Sequence, residues 1–539
     1  MIRKLLVANR GEIALRIFRT CRDLGIGTVA VVAPDDGGSL HARSADETAQ
    51  VASYLFSEEH IRAAKQTGAD AIHPGYGFLA ENPDFAEAVT AADLTWIGPP
   101  PEALRAGGDK LEAKRMAHEA GVPVVPTGEP GEIGFPLVVK AAAGGGGRGM
   151  RVVRDPAELD EALAAARREA KAAFGDDHVF CERYIERPRH VEIQLLGDSF
   201  GSVRTLGERE CSIQRRHQKV LEESPSPAID EALRVDISAA AIAFARAIGY
   251  ENAGTAEFMV DGRDFWFLEL NGRIQVEHPV TELVWGVDLV QEQLSIADGE
   301  NYEGREWLVP NGHAVEVRLY AEDPRTFFPQ TGRIDRLLLP GGIRVDAGIE
   351  EGDEVGLAYD PMVAKLVAHG TTRADAFDRL GDALRETEVA GVTTNLPFLR
   401  WLVSHPAVRA GDTTTSFLTE HPPLSATASG VAAAPWRKPF RLNLPSPPPA
   451  APPDVDALSA DHRGPSGEQS VVKAPMPGTV IRLLVGKGDA VRARQPLVVL
   501  EAMKMETPLT SPYDAVVRAV HVAEGDRVAG GAVLVELEE

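Results

Sequence analysis

The sequence has little cysteine, a deficit of positive charge and no long apolar run. Only 3 of its 539 residues are cysteine, too few for a disulfide framework and too widely spaced to suggest a zinc site. A formal net charge of −24 should repel nucleic acid and anionic membranes. No segment approaches the ~18 apolar residues of a membrane span, and the N-terminal apolar run is too short for a secretory signal. These absences predict a cytoplasmic protein with neither nucleic acid nor membrane as partner.

A Walker A motif is also missing, yet the N-terminal region has the pattern of a doubly wound α/β unit. An apolar run at 4–8 and another at 28–33 flank apolar residues at helical spacing, namely Ile13, Ile17, Phe18, Cys21 and Leu24. A strand, a glycine turn, a helix and a strand open such a unit. The third apolar run, at 69–73, leads into a Gly-x-Gly-x-x-Ala pattern at Gly75. That pattern can bind dinucleotides, but it belongs after the first strand, so we interpret these glycines as turn residues.

A second glycine-rich stretch, formed by Gly144, Gly145, Gly146 and Gly147, lies between apolar runs at 135–140 and 150–153. A flexible linker would not lie between two apolar strands. A glycine hairpin can close its backbone N–H groups over phosphate oxygens, with Arg148 adding charge, so the stretch predicts nucleotide binding. We expect a helix over 156–173 and strands near 178–184 and 191–196 to complete a small α+β lid. The basic run within 210–219 is either a solvated face or an anion-facing loop.

Residues 269–277 alternate polar residues with apolar or glycine residues. An extended chain would turn the polar side chains to one face: Glu269, Asn271, Arg273, Gln275 and Glu277. Together with Glu257 on the preceding strand, Glu269 and Asn271 offer the oxygen ligands that Mg²⁺ prefers. Arg273 suits a planar anion, and Glu277 could take a proton. The alternative is a row of ion pairs on an exposed edge. A further strand at 313–320 places Arg318 on the same face as Glu316.

The C-terminal segment 471–538 consists of short Val- and Leu-rich runs separated by Gly-Asp turns, and its two halves read alike. This pattern predicts an all-β module of two similar halves, with Lys504 at the tip of the hairpin that joins them. Met503 and Met505 flank Lys504, and soft apolar side chains beside an exposed lysine have no core to serve. Before the module, a Pro- and Ala-rich stretch at 420–470 predicts a tether with an end-to-end distance of roughly 35–45 Å.

Two resemblances to known families follow from these motifs. The stretch Ala502 to Met505 resembles the biotinyl domain of biotin-dependent carboxylases, whose lysine carries biotin; lipoyl domains are near relatives but usually lack the Met pair. Residues 1 to about 418 resemble biotin carboxylase, an ATP-grasp enzyme. The second resemblance rests on several motifs in order: Ala8-Asn9-Arg10-Gly11-Glu12-Ile13, His73-Pro74-Gly75-Tyr76-Gly77, the glycine loop, Gln214-Arg215-Arg216-His217-Gln218-Lys219, Arg273-Ile274-Gln275-Val276-Glu277-His278-Pro279 and Tyr359-Asp360-Pro361-Met362.

The resemblances imply an α/β multidomain architecture. Its parts are a doubly wound pre-ATP-grasp domain at 1–112, an ATP-grasp domain at 113–310 with a glycine-loop lid at about 131–200, an α+β C-terminal carboxylase domain at 311–419, a linker at 420–470 and an all-β flattened-barrel biotinyl domain at 471–539. Compared with the family, the chain is shortened around 51–57 and between Pro126 and Phe135, where a helix leading into the lid is normally found.

The resemblances also imply a role for each matching residue. ATP is held by Lys110, Lys140, Gly144 to Gly147, Glu182, His190, Gln214 and His217. The metal, Mg²⁺ or Mn²⁺, is held by Glu257, Glu269 and Asn271. Bicarbonate meets Lys219, Arg273, Gln275, Val276 and the base Glu277, while Arg318 steadies the biotin enolate. In the implied reaction, Mg-ATP phosphorylates bicarbonate, the product breaks down to CO₂ inside the closed lid, and biotin on Lys504 captures the CO₂.

The family members in question are the biotin carboxylase and carrier (alpha) subunits of acyl-coenzyme A carboxylases. No carboxyltransferase segment is recognised, so we expect a separate carboxyltransferase (beta) subunit as a partner, together with a biotin protein ligase and further copies of the carboxylase subunit. Pyruvate carboxylase is disfavoured because its transferase segment would have to lie within 420–470. Two alternatives remain open: an ATP-grasp ligase that joins a carboxylate to an amine and carries a β-module, and a biotin carrier with an inactive carboxylase body.

Overall fold

The structure is a computed structural model that describes residues 1–141, 150–174, 177–215, 218–305, 309–356, 358–423, 470–474, 478–492, 495–502, 505–528 and 531–538. Several predicted features lie outside these residues, namely the glycine loop Gly144 to Gly147 with Arg148, His217, Lys504 and most of the tether. Within the described ranges, no helix is long and apolar enough to cross a membrane. The three cysteines are free and buried.

A five-stranded parallel sheet, in the order β3-β2-β1-β4-β5, forms the N-terminal unit. Its strands are β1 Lys4–Val7, β2 Gly27–Val32, β3 Glu47–Gln50, β4 Ala71–His73 and β5 Thr95–Trp96. Its helices are α1 Gly11–Asp23, α2 Leu40–Ser44, α3 Ser57–Thr67, α4 Pro83–Ala91 and α5 Pro101–Gly108. The predicted doubly wound opening is confirmed.

Two details of this unit test the sequence interpretation. The apolar stripe of α1 is buried except at Leu24, which follows the helix and is 44% exposed, so its assignment to the stripe was wrong. Gly75 has a φ of +64°, and a Cβ there would lie 2.9 Å from Nδ2 of Asn9. That Nδ2 donates hydrogen bonds of 2.7 Å to the carbonyl oxygens of Pro74 and Tyr76. Gly75 is therefore a turn residue that Asn9 holds in place.

The lid is a three-stranded sheet in the order β7-β6-β8, covered by helix α8. Helix α6 Lys110–Glu119 and the one-turn helix α7 Pro130–Ile133 lead into it, so the shortened connection keeps a helical turn. The lid elements are β6 Leu137–Ala141, β7 Arg151–Val153, a 3₁₀ turn at Pro156–Glu158, α8 Leu159–Phe174 and β8 Val179–Arg183. A strand at 191–196 is confirmed, but its placement in the lid was wrong: it is part of β9 Arg189–Gly197, which pairs outside the lid with β10 Val203–Arg215 and β12 Asn252–Asp261. Residues 191–197 are all buried, as expected for a strand in the middle of a large sheet whose two faces are both covered.

An eight-stranded sheet, in the order β13-β12-β9-β10-β11-β14-β19-β17, forms the centre of the carboxylase part. Besides β9, its strands are β10 Val203–Arg215, β11 Gln218–Ser224, β12 Asn252–Asp261, β13 Asp264–Asn271, β14 His313–Tyr320, β17 Arg344–Ala347 and β19 Met362–Gly370. Helices α9 Glu231–Ala247, α10 His278–Trp285 and α11 Leu289–Ala297 connect them. Because β11 pairs with β14, the sheet continues across residue 310. This continuity brings Arg318 beside residues of the ATP-grasp part.

Smaller elements complete the C-terminal carboxylase region. They are the strand pairs β15 Gly332–Arg333 with β18 Glu354–Val355 and β16 Arg336–Leu338 with β20 Glu388–Ala390, and the helices α12 Arg373–Glu386, α13 Leu396–Ser404, α14 Pro406–Ala410 and α15 Phe417–Glu420. Phe377 and Leu380 of α12 and Phe398 of α13 pack with the apolar residues of β14 and β19 into one core.

The C-terminal module consists of two four-stranded antiparallel sheets, β21-β28-β26-β23 and β25-β24-β22-β27. Its strands are β21 Ser470–Lys473, β22 Gly478–Leu483, β23 Ala490–Val491, β24 Pro496–Ala502, β25 Met505–Thr510, β26 Ala515–Val520, β27 Arg527–Val528 and β28 Val533–Glu538. If β21, β22, β23 and β24 trade places with β25, β26, β27 and β28 respectively, one strand order becomes the other. The N–H of Gly488 donates to the carbonyl of Val517 at 2.7 Å, and that of Gly525 donates to Val480 at 2.7 Å. The prediction of two similar halves is confirmed.

Candidate active site

Lys219 lies at the centre of a buried charged cluster on the central sheet. Its Nζ is 2.5 Å from Glu277 Oε1 and 2.9 Å from Glu257 Oε1, and it also contacts Glu192. These residues come from β11, β12, β9 and the position just before α10. Burial disfavours the ammonium, but the three carboxylates outweigh it and raise the pKa of Lys219 well above its usual value. Lys219 therefore keeps its positive charge, which an incoming anion can share.

Glu277 is held between two cations. Its Oε2 accepts a hydrogen bond of 2.9 Å from Nη2 of Arg318, opposite the contact with Lys219. Burial opposes ionisation, but Lys219 and Arg318 hold the pKa of Glu277 well below its usual range. The side chain is therefore an ionised carboxylate, which can accept a proton when its cations turn to another anion.

The polar stretch at 269–277 is a strand only over its first part. Strand β13 ends at Asn271, and Glu277 directly precedes α10, so the predicted extended conformation was wrong beyond Asn271. Pro279 in the first turn of α10 explains the change, since proline favours the start of a helix. The exposed-edge alternative was also wrong, because Asn271, Gln275 and Glu277 are buried.

The loop after β13 still gathers the predicted polar side chains. Nη2 of Arg273 donates to Asn271 Oδ1 at 2.9 Å, and its Nη1 donates to Gln275 Oε1 at 2.8 Å. Its Nε lies 3.2 Å from a carboxylate oxygen of Glu81, a partner that the sequence did not suggest. The carbonyl of Val276 accepts a hydrogen bond of 2.7 Å from Nζ of Lys365. Side-chain contacts thus fix this loop from both sides.

The three predicted metal ligands lie together on β12 and β13. Glu257 and Glu269 are directly opposite in the strand register, and Asn271 Nδ2 donates to Glu257 Oε1 at 2.9 Å. Burial opposes ionisation of Glu257, but Lys219 and His190 lower its pKa below the usual range. Two carboxylates and an amide are an all-oxygen donor set that fits Mg²⁺ or Mn²⁺. Lys110 Nζ lies 3.1 Å from Glu269 Oε2, so a residue predicted to hold ATP lies beside a metal ligand.

The other described residues predicted to hold ATP form two groups. In the first, Lys140 of β6 contacts the buried carboxylate of Glu182 on β8, which also contacts Lys114 of α6. Two lysines on one carboxylate leave a surplus positive charge, which suits phosphate oxygens. In the second, Nε2 of His190 lies 2.8 Å from Glu257 Oε2, and its Nδ1 lies 2.8 Å from Gln214 Nε2. This group joins predicted nucleotide residues to a predicted metal ligand.

Several residues of the cluster were missed from the sequence, foremost Glu192 and Arg209. Arg209 is fully buried; its Nε contacts Glu192, and its Nη1 donates to Gln194 Oε1 at 2.7 Å and Thr281 Oγ1 at 2.9 Å. The alternation of His190, Glu192 and Gln194 with apolar residues could have indicated a polar face on β9. Arg209 carried no comparable signal, because it lies in a run of charged residues that also fits an exposed strand.

We expect Arg209→Gln to lower the thermal stability of the carboxylase part. The substitution leaves Glu192 with one cationic partner fewer in a buried site, and breaking a buried ion pair costs about 3–5 kcal/mol. The midpoint of thermal unfolding should fall by on the order of 10 °C. Arg115→Gln is the matched control, since Arg115 pairs with Glu112 and Glu119 on the exposed surface of α6. Equal midpoints for both variants would contradict a structural role of Arg209.

Comparisons with known proteins agree with this geometry. The biotin carboxylase N-terminal domain matches residues 1–104, the carbamoyl-phosphate synthase L chain ATP binding domain matches 109–304, the biotin carboxylase C-terminal domain matches 316–420, and the biotin-requiring enzyme domain matches 470–537. A biotin carboxylase of Halalkalibacterium halodurans is 48% identical to this chain, covering 78% of this chain and 98% of that protein. The mitochondrial propionyl-CoA carboxylase alpha chain of Rattus norvegicus is 37% identical, covering 99% and 90% respectively.

A solved structure is similar as well. It is the biotin carboxylase domain dimer of 2-oxoglutarate carboxylase from Hydrogenobacter thermophilus, in complex with MgADP, ADP and bicarbonate. The TM-score is 0.74 at 42% identity, and the match covers 78% of this chain and 98% of that one. The match shows that the carboxylase part shares the fold of a domain crystallised with nucleotide, magnesium and bicarbonate.

Proposed function

The chain belongs to the biotin carboxylase family, and we propose that it carboxylates biotin held on Lys504, with ATP and bicarbonate, and passes the carboxyl group to a separate carboxyltransferase subunit. The buried cluster in which Lys219 and Arg318 both contact Glu277 carries this proposal. An ionised carboxylate between two fixed cations forms a site where a small anion can bind and lose a proton.

In our proposal, bicarbonate binds between Lys219 and Arg273, beside Gln275 and the backbone of Val276. Glu277 takes the proton of bicarbonate. Lys219 and Arg273 stabilise the negative charge that remains, in a site from which burial excludes water. Arg318 would hold the oxygen of the ureido group of biotin and would stabilise the negative charge that develops there. These roles suit the described contacts, since Lys219 and Arg318 already hold the carboxylate of Glu277, which acts as base.

The cofactors supply the remaining chemistry: Mg-ATP provides the phosphoryl group that activates bicarbonate, and biotin provides the nitrogen that accepts the carboxyl group. The all-oxygen set of Glu257, Glu269 and Asn271 is proposed to hold the metal. The residues proposed to hold ATP are Lys110, Lys140, Glu182, His190 and Gln214, with Gly144 to Gly147 and His217 from outside the described ranges. Surplus positive charge near Glu182 supports this placement of the phosphates.

Biotin is proposed to sit on Lys504, within the segment that joins β24 to β25. These strands pair as far as Ala502 opposite Met505, so a biotin protein ligase would meet the lysine between two paired strands. The tether predicted from the sequence, about 50 residues long, would span roughly 35–45 Å. That reach would let the carrier leave the carboxylase site for a site on another subunit.

The acceptor is proposed to be a short acyl-coenzyme A, because the rat relative is named a propionyl-CoA carboxylase alpha chain. We expect the chain, tagged and purified from its native cell, to copurify with a carboxyltransferase subunit. The complex should incorporate labelled bicarbonate into acetyl- or propionyl-coenzyme A, whereas the isolated chain should carboxylate tethered or free biotin but no acyl-coenzyme A. Transfer by the isolated chain alone, or to pyruvate, would contradict the proposal. Light scattering on the same sample tests the expected homo-oligomer of carboxylase subunits.

One assay distinguishes the two alternatives. A ligase that joins a carboxylate to an amine predicts ADP release driven by an amino acid, and the match of the biotin-requiring enzyme domain to residues 470–537 disfavours it. An inactive carboxylase body predicts no bicarbonate-dependent ADP release even when free biotin is added. Release that requires both bicarbonate and biotin fits only the proposed function.

A further inference from the structure

A second carboxylate contacts Arg318, and the proposed function gives it no role. Nη2 of Arg318 lies 2.9 Å from Glu277 Oε2 and 2.5 Å from Glu222 Oε1. Glu222 lies on β11 directly opposite Glu316 of β14, and both side chains are fully buried. The side-chain oxygens of Glu222 and of Glu316 both lack a partner with hydrogen-bond geometry among the described residues, but of the two only Glu222 lies within ion-pair distance of Arg318. The guanidinium is thus shared between the candidate base and one further anion.

We propose that Glu222 is a positioning residue that keeps Arg318 in place while Glu277 carries the proton taken from bicarbonate. This inference rests on the proposed roles of Glu277 and Arg318. Protonation of Glu277 neutralises one of the two anions that hold the guanidinium, and a guanidinium that loses an ionised partner loses its strongest hydrogen bonds. The contact with Glu222 remains, so Arg318 keeps its place when negative charge develops on biotin.

The surroundings of Glu222 explain why it, and not Glu316, carries the charge. The charged or titratable groups that face Glu222 are Arg318 and Glu316 of β14, Glu277 before α10, Cys211 of β10 and Lys219 of its own strand, whereas Lys365 of β19 faces Glu316. Two adjacent buried carboxylates do not both ionise readily. Of Glu222 and Glu316, only Glu222 forms an ion pair with Arg318. Burial raises the pKa of Glu222 to about 7, while Arg318 opposes the rise. Burial raises the pKa of Glu316 well above its usual value.

We expect Glu222→Gln to lower kcat for carboxylation of free biotin by about 10- to 100-fold, the effect of losing one charged hydrogen-bond partner. The KM for ATP should not change, because Glu222 contacts none of the described residues that are proposed to hold the nucleotide. Glu316→Gln is the matched control: it makes the same substitution on the facing residue, yet it should keep kcat within about two-fold because a neutral glutamic acid is replaced by a neutral amide. An equal loss in both variants would overturn the inference.

A double-mutant cycle with Arg318→Gln tests whether Glu222 acts through Arg318. The double variant should be no slower than Arg318→Gln alone, since residues that act through one contact are not additive; a further loss would overturn the inference. If Arg318→Gln itself had the wild-type kcat, the proposed function of Arg318 would fail. If Arg318→Gln were slow and Glu222→Gln had the wild-type kcat, only the inference would fail.

Folding of each variant is checked by its thermal midpoint with ADP bound. Should Glu222→Gln not fold, Glu222→Asp tests the same point. Aspartate keeps the charge but lengthens the contact with Arg318, so kcat should fall by a smaller factor, and an unchanged kcat would overturn the inference.

Discussion

Lys504→Arg is expected to abolish biotin attachment and, with it, all transfer of carboxyl groups to an acceptor. Arginine keeps the positive charge but has no primary amine to form the amide with biotin. Streptavidin blotting and intact mass should show no biotin on the variant, even when a biotin protein ligase is coexpressed. Carboxylation of added free biotin should keep its wild-type rate, because the cluster around Lys219 lies in a separate part of the chain.

Lys487→Arg provides the matched control for this experiment. Lys487 is an exposed lysine of the same β-module, on the turn before Gly488, and its replacement should leave one biotin on each chain. Biotin on Lys504→Arg would show that another lysine is the attachment site. Loss of free-biotin carboxylation in that variant would contradict a carrier that is independent of the carboxylase part.

The fold could be predicted from the sequence where a local pattern and the surrounding packing favour the same structure. The opening helix α1 and the two halves of the C-terminal module are examples, since apolar spacing and Gly-Asp turns are local signals. The placement of 191–196 failed for the opposite reason. A strand formed by these residues suits a small lid as well as a central sheet, and only pairing with β10 and β12, distant in sequence, decides between them.

In the candidate site, too, local patterns could be predicted from the sequence and contacts between distant strands could not. The alternation from Glu269 to Glu277 indicated the right polar side chains, although the chain leaves β13 at Asn271 and reaches Glu277 through a loop. What the sequence could not indicate were the partners from other strands. Glu192 contacts Lys219, and Lys365 contacts the carbonyl of Val276, only because their strands lie near one another in the folded sheet.

Glu277→Gln is expected to reduce kcat for bicarbonate-dependent ADP release by about 10²- to 10⁴-fold, the usual contribution of a general base. Glutamine has nearly the same shape, but its single carbonyl oxygen can accept from only one of Lys219 and Arg318, and it cannot take a proton. The affinity for ADP, measured by calorimetry, should not change. Glu300→Gln, a substitution on the exposed surface, serves as the control and should have the wild-type rate. An unchanged rate in Glu277→Gln would exclude Glu277 as the base.

The low pKa of Glu277 gives this experiment a second readout. In the free protein Lys219 and Arg318 stabilise the ionised carboxylate, which makes it a weak base. Bicarbonate brings another negative charge to Lys219, and a neighbouring anion raises the pKa of a carboxylate. Binding of the substrate thus strengthens the base that deprotonates it. With glutamine at position 277, bicarbonate no longer competes with a fixed anion for Lys219, so the KM for bicarbonate should stay equal or fall while kcat collapses. A raised KM with an unchanged kcat would instead mean that Glu277 only helps to bind bicarbonate.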